Sequence, residues 1–598
     1  MNNRTQGYVL PTVLISLIVV SGMAAMTINL TLSETRQSGG NQMVAQVRAA
    51  AEAAQGDALF YMSNQGLSDV NVILAPFADA FANSSGDAST QAIIPKTSYA
   101  LILASLNAVA GTTITGAANS VTYSGKVTYT SMNVDEKSFS SGGQTYIMNY
   151  TITGSGQKNT LSTRTVTTNG QMQVKMGRQF LNQFVLLAND GGSQQGNFFA
   201  TGMNYDGPVQ INQNWRFAGK PKFKYGVTTA SSNVQMSPDC DPSNNDTVST
   251  QSNNCTVPDW GGFGIVYAAP KIDLPKNAAS QQKAALGLDP KDTTTTVSTL
   301  QECQALGANF STCGGTVPNG VYVPYNAAGN LTGGIYIKGD ANSIALSVSG
   351  NKQIYTITDV NNVVTTITVD YTAKTTTVMK GGVTKVLNGV LSGEAKSPGQ
   401  PSGMIYSTGS IKSLGGPVRT SSTLSSPVPA VPDPTKIPPA VATNSVINIS
   451  AASDMVLQSD LTYEQDPRTT PGAKNVLGLM AGGGSVRIGT GAPKDVYVQA
   501  ALLAGAQGKG FAVDSYGNGV LRGDIHLLGS LAEDTEPPRG VGQQNAAKND
   551  IIVTSGYGDA FNFDPRFLNG GAVPPFFPST SKFAAQAVWP SQQGWQEK

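Results

Sequence analysis

The sequence predicts an α+β protein that is mainly β: a long N-terminal helix, an antiparallel sheet packed on it, and a large inserted or appended β-solenoid. Three observations carry this. A long apolar run from Tyr8 to Leu32, weakened at its far end by Thr27, Asn29 and Thr31, is followed by helical periodicity as far as Tyr61. From Ser120 to about Met176 the pattern changes to alternating β-branched or aromatic and polar residues broken by glycine. Beyond Phe184, short apolar runs recur between Gly, Asn and Asp corners to the end of the chain.

The first element begins with a short polar leader, Met1-Asn-Asn-Arg-Thr-Gln-Gly7, that holds one cation, Arg4. The apolar run behind it is roughly 25 residues, or roughly 37 Å of helix, enough to span a bilayer. A cleaved secretory signal would have a shorter core and a small-residue cleavage site after it; the run is longer and no such site follows. Met43, Val47, Ala50, Ala51, Ala54, Ala58 and Tyr61 continue at helical spacing. Gly39 and Gly40 are expected to loosen or break this rod, since each costs about 1 kcal/mol against Ala.

The expected domains are a leader over 1–7, a membrane-spanning helix over 8–64, a β head over 65–178 and a solenoid over 179–598. Residues 67–117 mix short helical and loop signals. The strands Val121–Thr130, Tyr146–Thr153, Ser162–Thr168 and Met172–Met176 read as an antiparallel meander. In the last region the runs Phe184-Val-Leu-Leu187, Gly334-Ile-Tyr-Ile337, Met404-Ile-Tyr406, Val446-Ile-Asn-Ile449, Val496-Tyr-Val498 and Ile525-His-Leu-Leu528 fit stacked short strands of a solenoid, although a β-sandwich shares this texture. A hairpin excursion is expected near 350–380. The proline-rich stretch 425–440 reads as a stiff strap.

Charged residues make up only 13% of the chain and the formal net charge is +1, so no whole-molecule field draws nucleic acid or lipid. The best local binding feature is Trp215-Arg-Phe-Ala-Gly-Lys-Pro-Lys-Phe-Lys-Tyr225. In an extended segment, residues two apart share a face. Lys220, Lys222 and Lys224 would then point outward with Arg216 nearby, while Phe223 and Tyr225 point inward. Lysines at roughly 7 Å spacing suit successive phosphates in a sequence-independent, salt-sensitive contact. The bland reading is a strand kept soluble on its outer side. Lys338, Lys352, Lys374, Lys380 and Lys385 would extend a groove if they shared a face.

Catalysis finds no legible set. His526 stands in an alternating strand and reads as a satisfied or exposed histidine rather than a general base. Gly505-Ala-Gln-Gly-Lys-Gly510 lacks the hydroxyl and spacing of a phosphate loop. Cys240, Cys255, Cys303 and Cys313 allow three pairings; an exported chain favours disulfides, and the local choice is Cys240–Cys255 with Cys303–Cys313. There is no CxxC, no metal site is expected, and no cofactor is implied. Asp241 to Asp246 offers oxygen ligands without the spacing of a calcium loop.

The N-terminus resembles the type IV pilin family. Gly7 stands where prepilin peptidase cuts, Tyr8 becomes the first mature residue, and the Val9-Leu-Pro start with Ala49-Ala-Ala-Glu-Ala-Ala54 is most similar to the PilX-type minor pilins. Thr201-Gly-Met-Asn-Tyr-Asp-Gly-Pro-Val-Gln-Ile-Asn212, Phe217-Ala-Gly-Lys-Pro-Lys-Phe223, Phe563-Asp-Pro-Arg-Phe567 and Pro574-Pro-Phe-Phe-Pro578 look like motifs of large members of that type. The resemblance implies a pilin head with a solenoid, processing and N-terminal methylation, partnership with other minor and major pilins, and an inner-membrane prepilin that moves to the cell surface at the pilus tip. The large competence members imply DNA as a partner, taken up in natural transformation, with Trp215, Arg216, Lys220, Lys222, Lys224 and Tyr225 as the contact set. One departure is informative. Most pilins carry glutamate at the fifth mature position, where it neutralises the neighbouring subunit's free amine; here it is Thr12. A subunit without that carboxylate fits best at the filament's end. A surface- or glycan-binding tip adhesin is the alternative, and a solenoid polysaccharide-cleaving enzyme is a third class.

Overall fold

The computed structural model describes residues 9–597 apart from 63–65, 83–90, 119, 141–142, 159–161, 192–197, 214, 226, 232–233, 237–257, 262–263, 268, 270, 291–295, 311–314, 546–549, 568–571 and 588–590. The cleavage residues Gly7 and Tyr8, three of the cysteines (Cys240, Cys255 and Cys313) and the Asp241–Asp246 stretch lie outside this set. Cys303 is disulfide-bonded. The chain is mainly β, with a long N-terminal helix and several sheets. It divides into two compact units: residues 1–178 with 582–598, and residues 179–581. The second unit is therefore an insertion in the sequence of the first, which regains the last residues of the chain.

In the first unit one helix runs without interruption over Val9–Tyr61. Gly39 and Gly40 do not break it. A Cβ at either would meet nothing within 4 Å, and the two propensity costs are small beside the hydrogen bonds of a 53-residue helix. The helix has two halves with different surroundings. Leu17, Val20, Met23, Met26, Ile28 and Leu30 are all more than half exposed. Val47, Ala51, Ala54 and Ala58 are fully buried.

What covers the second half is an antiparallel sheet in the order Thr113–Ala118, Val121–Ser140, Gly143–Lys158, Ser162–Phe180 and Ser579–Ala587. Ser591–Glu597 also pairs with Ser162–Phe180. The two runs 162–168 and 172–176 form one strand, because Gly170 continues the ladder opposite Tyr150. The strand Gly143–Lys158 alternates strictly, with Tyr146, Met148, Tyr150 and Ile152 buried on its inner face. Three sheet glycines let the helix backbone come close. A Cβ on Gly125 would lie 2.3 Å from the Ala54 carbonyl oxygen, one on Gly154 2.1 Å from that of Ala51, and one on Gly156 2.2 Å from that of Val47. The alanines of the helix and the glycines of the sheet are thus two sides of one contact. Helices Leu67–Ala82 and Tyr99–Asn107 close the end of this core.

The second unit is built from parallel ladders. One takes Ile335–Lys338, Met404–Ser407, Val446–Ala451, Val476–Ala481, Val496–Ala504 and Leu521–Thr535 in that order. The other takes Ala341–Val348, Ile411–Gly415, Met455–Leu457, Val486–Ile488 and Phe511–Val513. The chain alternates between them, so each circuit adds one strand to each ladder. Val476–Ala481 and Val496–Ala504 are buried at every position, as expected of parallel strands covered on both faces. The excursion expected near 350–380 is an antiparallel meander through Val383–Asn388 that begins at Ala341–Val348. The proline-rich stretch is tied down: Tyr497 donates its hydroxyl hydrogen to the Pro429 carbonyl at 2.6 Å.

Gly154→Ala and Gly156→Ala are each expected to destabilise the first unit by about 1–3 kcal/mol, because the new methyl meets backbone rather than a movable side chain. Gly39→Ala, in open space on the N-terminal helix, is expected to stabilise by up to about 1 kcal/mol. Thermal or denaturant unfolding of the three variants checks both signs.

Candidate functional site

The segment 215–225 is not one extended strand. Arg216–Ala218 pairs in parallel with Phe199–Ala200 and Gln235–Met236. The chain then turns a corner, and Lys222–Phe223 pairs with Asn204 and Tyr205 in a different sheet. Gly219 makes the corner possible: its φ is +74°, and a Cβ there would lie 2.1 Å from Thr201 Oγ1. That same hydroxyl accepts the Lys220 backbone N–H at 2.8 Å.

Beneath the corner lies a floor of aromatic rings. Tyr205 and Phe223 stack at 5.3 Å, Trp215 and Phe217 at 5.1 Å, and Phe223 and Trp260 at 5.5 Å. Trp215 is fully buried and so cannot meet a ligand at the surface. Its role is to fill the space behind the lysines. Arg216 is half-buried, its guanidinium 4.3 Å from the Phe198 ring centre.

Lys220, Lys222 and Lys224 are exposed and Phe223 is buried. Tyr225, expected to point inward, is 41% exposed, because the strand ends at Phe223 and alternation no longer holds. Its ring lies beside Lys224, whose ammonium is 5.4 Å from the ring centre. Lys224 also pairs with Asp206 at 2.9 Å, and this hydrogen-bonded carboxylate holds its ammonium above the usual lysine range. Lys220 and Lys222 remain as the outward cations of the row with no ion pair formed to a described acid.

The further cations do not join this row. Lys338 pairs with Glu302 at 2.8 Å and Lys352 with Asp370 at 2.9 Å. Lys380 and Lys385 lie over the rings of Tyr322 and Tyr325, at 5.2 and 3.7 Å. Lys374 has φ +55° and occupies a turn at the other end of the Thr375–Lys380 strand. His526 also departs from expectation. It is buried, stacked on Tyr497 at 4.6 Å, and its Nε2 has no hydrogen-bond partner among the described residues.

A buried charge cluster under the aromatic floor escaped the sequence reading. Arg539 donates through Nε and Nη2 to both oxygens of Asp559, at 2.8 and 2.6 Å, and also donates to Glu536. Glu533 faces the same guanidinium at 3.9 Å and accepts the Phe511 N–H at 2.7 Å. The Tyr205 hydroxyl reaches Asp559 at 3.5 Å. The available signal was Glu533-x-x-Glu536-x-x-Arg539 in a chain otherwise poor in charge. One guanidinium cannot balance three buried carboxylates. Burial pushes Glu533 well above the usual carboxylate range and Glu536 up to about 7.

A family model described as a domain of unknown function (DUF4900) matches residues 145–240. The match spans two long strands of the first sheet and the segment 215–225 with its lysines, but not Trp260 of the aromatic floor. No curated protein and no solved structure matches the chain.

The raised glutamates set a pH dependence. Folded, they hold protons that the unfolded chain releases above about pH 4.3. Their contribution is full below that pH and is lost as pH rises through about 7 for Glu536. His526, lowered by burial, acts in the opposite sense as pH falls through about 6.5. Glu536→Gln isolates the glutamate: between pH 5 and 8 the variant is expected to lose less stability than the wild type in parallel denaturant titrations.

Proposed function

We propose that this chain is a minor pilin of the PilX type, which ends a type IV pilus and presents a solenoid head that holds extracellular DNA for uptake. The division of the helix carries the reading. A helix covered by a sheet over one half and bare and apolar over the other is what a pilin needs: the bare half sits in the inner membrane as a prepilin and packs among other pilins after prepilin peptidase acts. Among the described residues, which leave out the side chains of 9–16 and 18, no helix is long and apolar enough to cross a membrane. The span therefore rests on the run from Val9 onward in the sequence. Its polar members are compatible with lipid. Thr27 and Thr31 donate their hydroxyl hydrogens to the carbonyls of Met23 and Thr27 at 2.8 Å, so neither hydroxyl needs water.

The insertion of the second unit supports a tip position, because a filament shaft has little room for a large head and Thr12 removes the carboxylate that would neutralise a neighbour's amine. The alternating parallel ladders support the solenoid reading. Lys220 and Lys222, held outward by a rigid aromatic corner, support phosphate contact in place of base reading.

The adhesin reading has its own observation: an open cavity of about 660 Å³ whose lining includes Gln304, Tyr325, Asn326, Thr332 and Lys385. A ring among hydrogen-bonding amides suits a sugar. Binding of the full chain, held in detergent micelles, to duplexes of unrelated sequence across a salt series separates the two. The expected result is similar affinity for all duplexes, falling steeply with salt, with the log–log slope about 2 smaller for Lys220→Ala/Lys222→Ala. No binding at low salt removes the DNA reading, and glycan binding in its place supports the adhesin. An unchanged slope in the double variant removes only this face.

A further inference from the structure

We propose that Asp495, Asp524 and His526 form a binding site for a divalent transition-metal cation of the zinc class, joining two successive strands of the parallel ladder. The inference is independent of what the head captures.

The site follows from register. Val496–Ala504 and Leu521–Thr535 run parallel with Val496 opposite Ile525 and Tyr497 opposite His526. Asp495, one residue earlier, comes level with Asp524. Asp524 and His526 are two apart and share a face of their strand. The result is two carboxylates and one imidazole whose donor atoms all lie within 4.8 Å of one another.

The histidine points to a ligand. Its side chain is only 8% exposed, and its Nε2 faces Asp495 Oδ1 at 3.8 Å, beyond hydrogen-bond distance. A buried ring nitrogen without a partner is costly, and the Tyr497 ring stacked on His526 fixes its plane. The carboxylates are held as well. Asp495 Oδ1 accepts the Asp524 backbone N–H at 3.0 Å, leaving its second oxygen available. Two glycines make room for them: a Cβ on Gly523 would lie 2.1 Å from Asp495 Oδ1, and one on Gly558 2.3 Å from Asp524 Oδ1.

The adjacent guanidiniums do not compete for these oxygens. Arg419 forks onto Asp460 at 2.6 and 2.8 Å and donates to the backbone carbonyls of Lys494 and Asp495. Arg522 bonds the carbonyls of Gly489, Thr490 and Ala492 and covers the Tyr557 ring.

The donor set selects the ion. One imidazole with two carboxylates suits Zn2+, Co2+ or Mn2+, whereas Ca2+ takes six to eight oxygens and no nitrogen. Donors around such an ion stand roughly 3.4 Å apart for bonds of roughly 2.1 Å in a tetrahedron. The His526–Asp495 separation is 3.8 Å and no pair of donors is more than 4.8 Å apart. Three protein ligands leave at least one position for water or an incoming oxygen ligand.

The test uses the full chain in detergent, stripped with a chelator and titrated with Co2+. The expected result is one Co2+ per chain with visible absorption bands that Zn2+ displaces, and a Zn2+-dependent rise in the midpoint of thermal unfolding. Asp524→Asn, at an exposed position, and His526→Gln are each expected to weaken binding at least tenfold and to abolish that rise. Because Asp524 is exposed, its variant keeps the test informative if the histidine variant misfolds. No Co2+ or Zn2+ binding by the folded wild type overturns the proposal. So do binding unchanged in Asp524→Asn, and binding of Ca2+ alone.

Discussion

Everything in the first unit depends on how close one helix can come to one sheet. The sheet buries the second half of the helix because glycines at 125, 154 and 156 remove the atoms that would hold it off, while alanines at 51, 54 and 58 do the same on the helix. Backbone-to-backbone approach of this kind excludes water along the seam without large side chains. Among the described residues the first half has no such partner. Its Leu, Val, Met and Ile side chains are exposed, and on the pilin reading proposed above a bilayer or neighbouring helices cover them.

The second unit meets a different constraint. Parallel strands buried on both faces are mainly apolar, and the exposed charged groups of the two candidate sites stand at or near strand ends. The corner at Gly219 carries the lysines, Asp495 just before one strand and Asp524 near the start of the next carry carboxylates, and the return at Arg539 carries a buried ion cluster. Rigid packing behind each corner decides which groups face outward. The aromatic floor does this for Lys220 and Lys222, and the Tyr497–His526 stack does it for the imidazole.

Much of the fold was legible because it is written in periods. The helical spacing from Met43 to Tyr61 and the strict alternation from Tyr146 to Ile152 each correspond to one buried face. The site was less legible. Trp215, expected among the contacts, is buried, and Tyr225, expected inward, is exposed because the strand ends at Phe223 and alternation no longer holds beyond it. Gly39 and Gly40 misled because local propensity says little about a residue in the middle of a long helix. The Asp495–Asp524–His526 group was hidden because Asp495 is 29 residues before Asp524 in sequence, and only the ladder register brings it level with the other two. The return of the last residues to the first sheet was invisible for the same reason.

The central claim is that the two halves of the helix have opposite surroundings. It is tested most directly by single cysteines at Val20→Cys and Ala49→Cys in the full chain reconstituted into vesicles, each exposed to a membrane-impermeant maleimide. The account predicts that residue 49, on the outer side of the covered half, is labelled rapidly, while residue 20 is shielded and reacts only with a lipid-soluble reagent. Equal labelling of both positions by the impermeant reagent would contradict it.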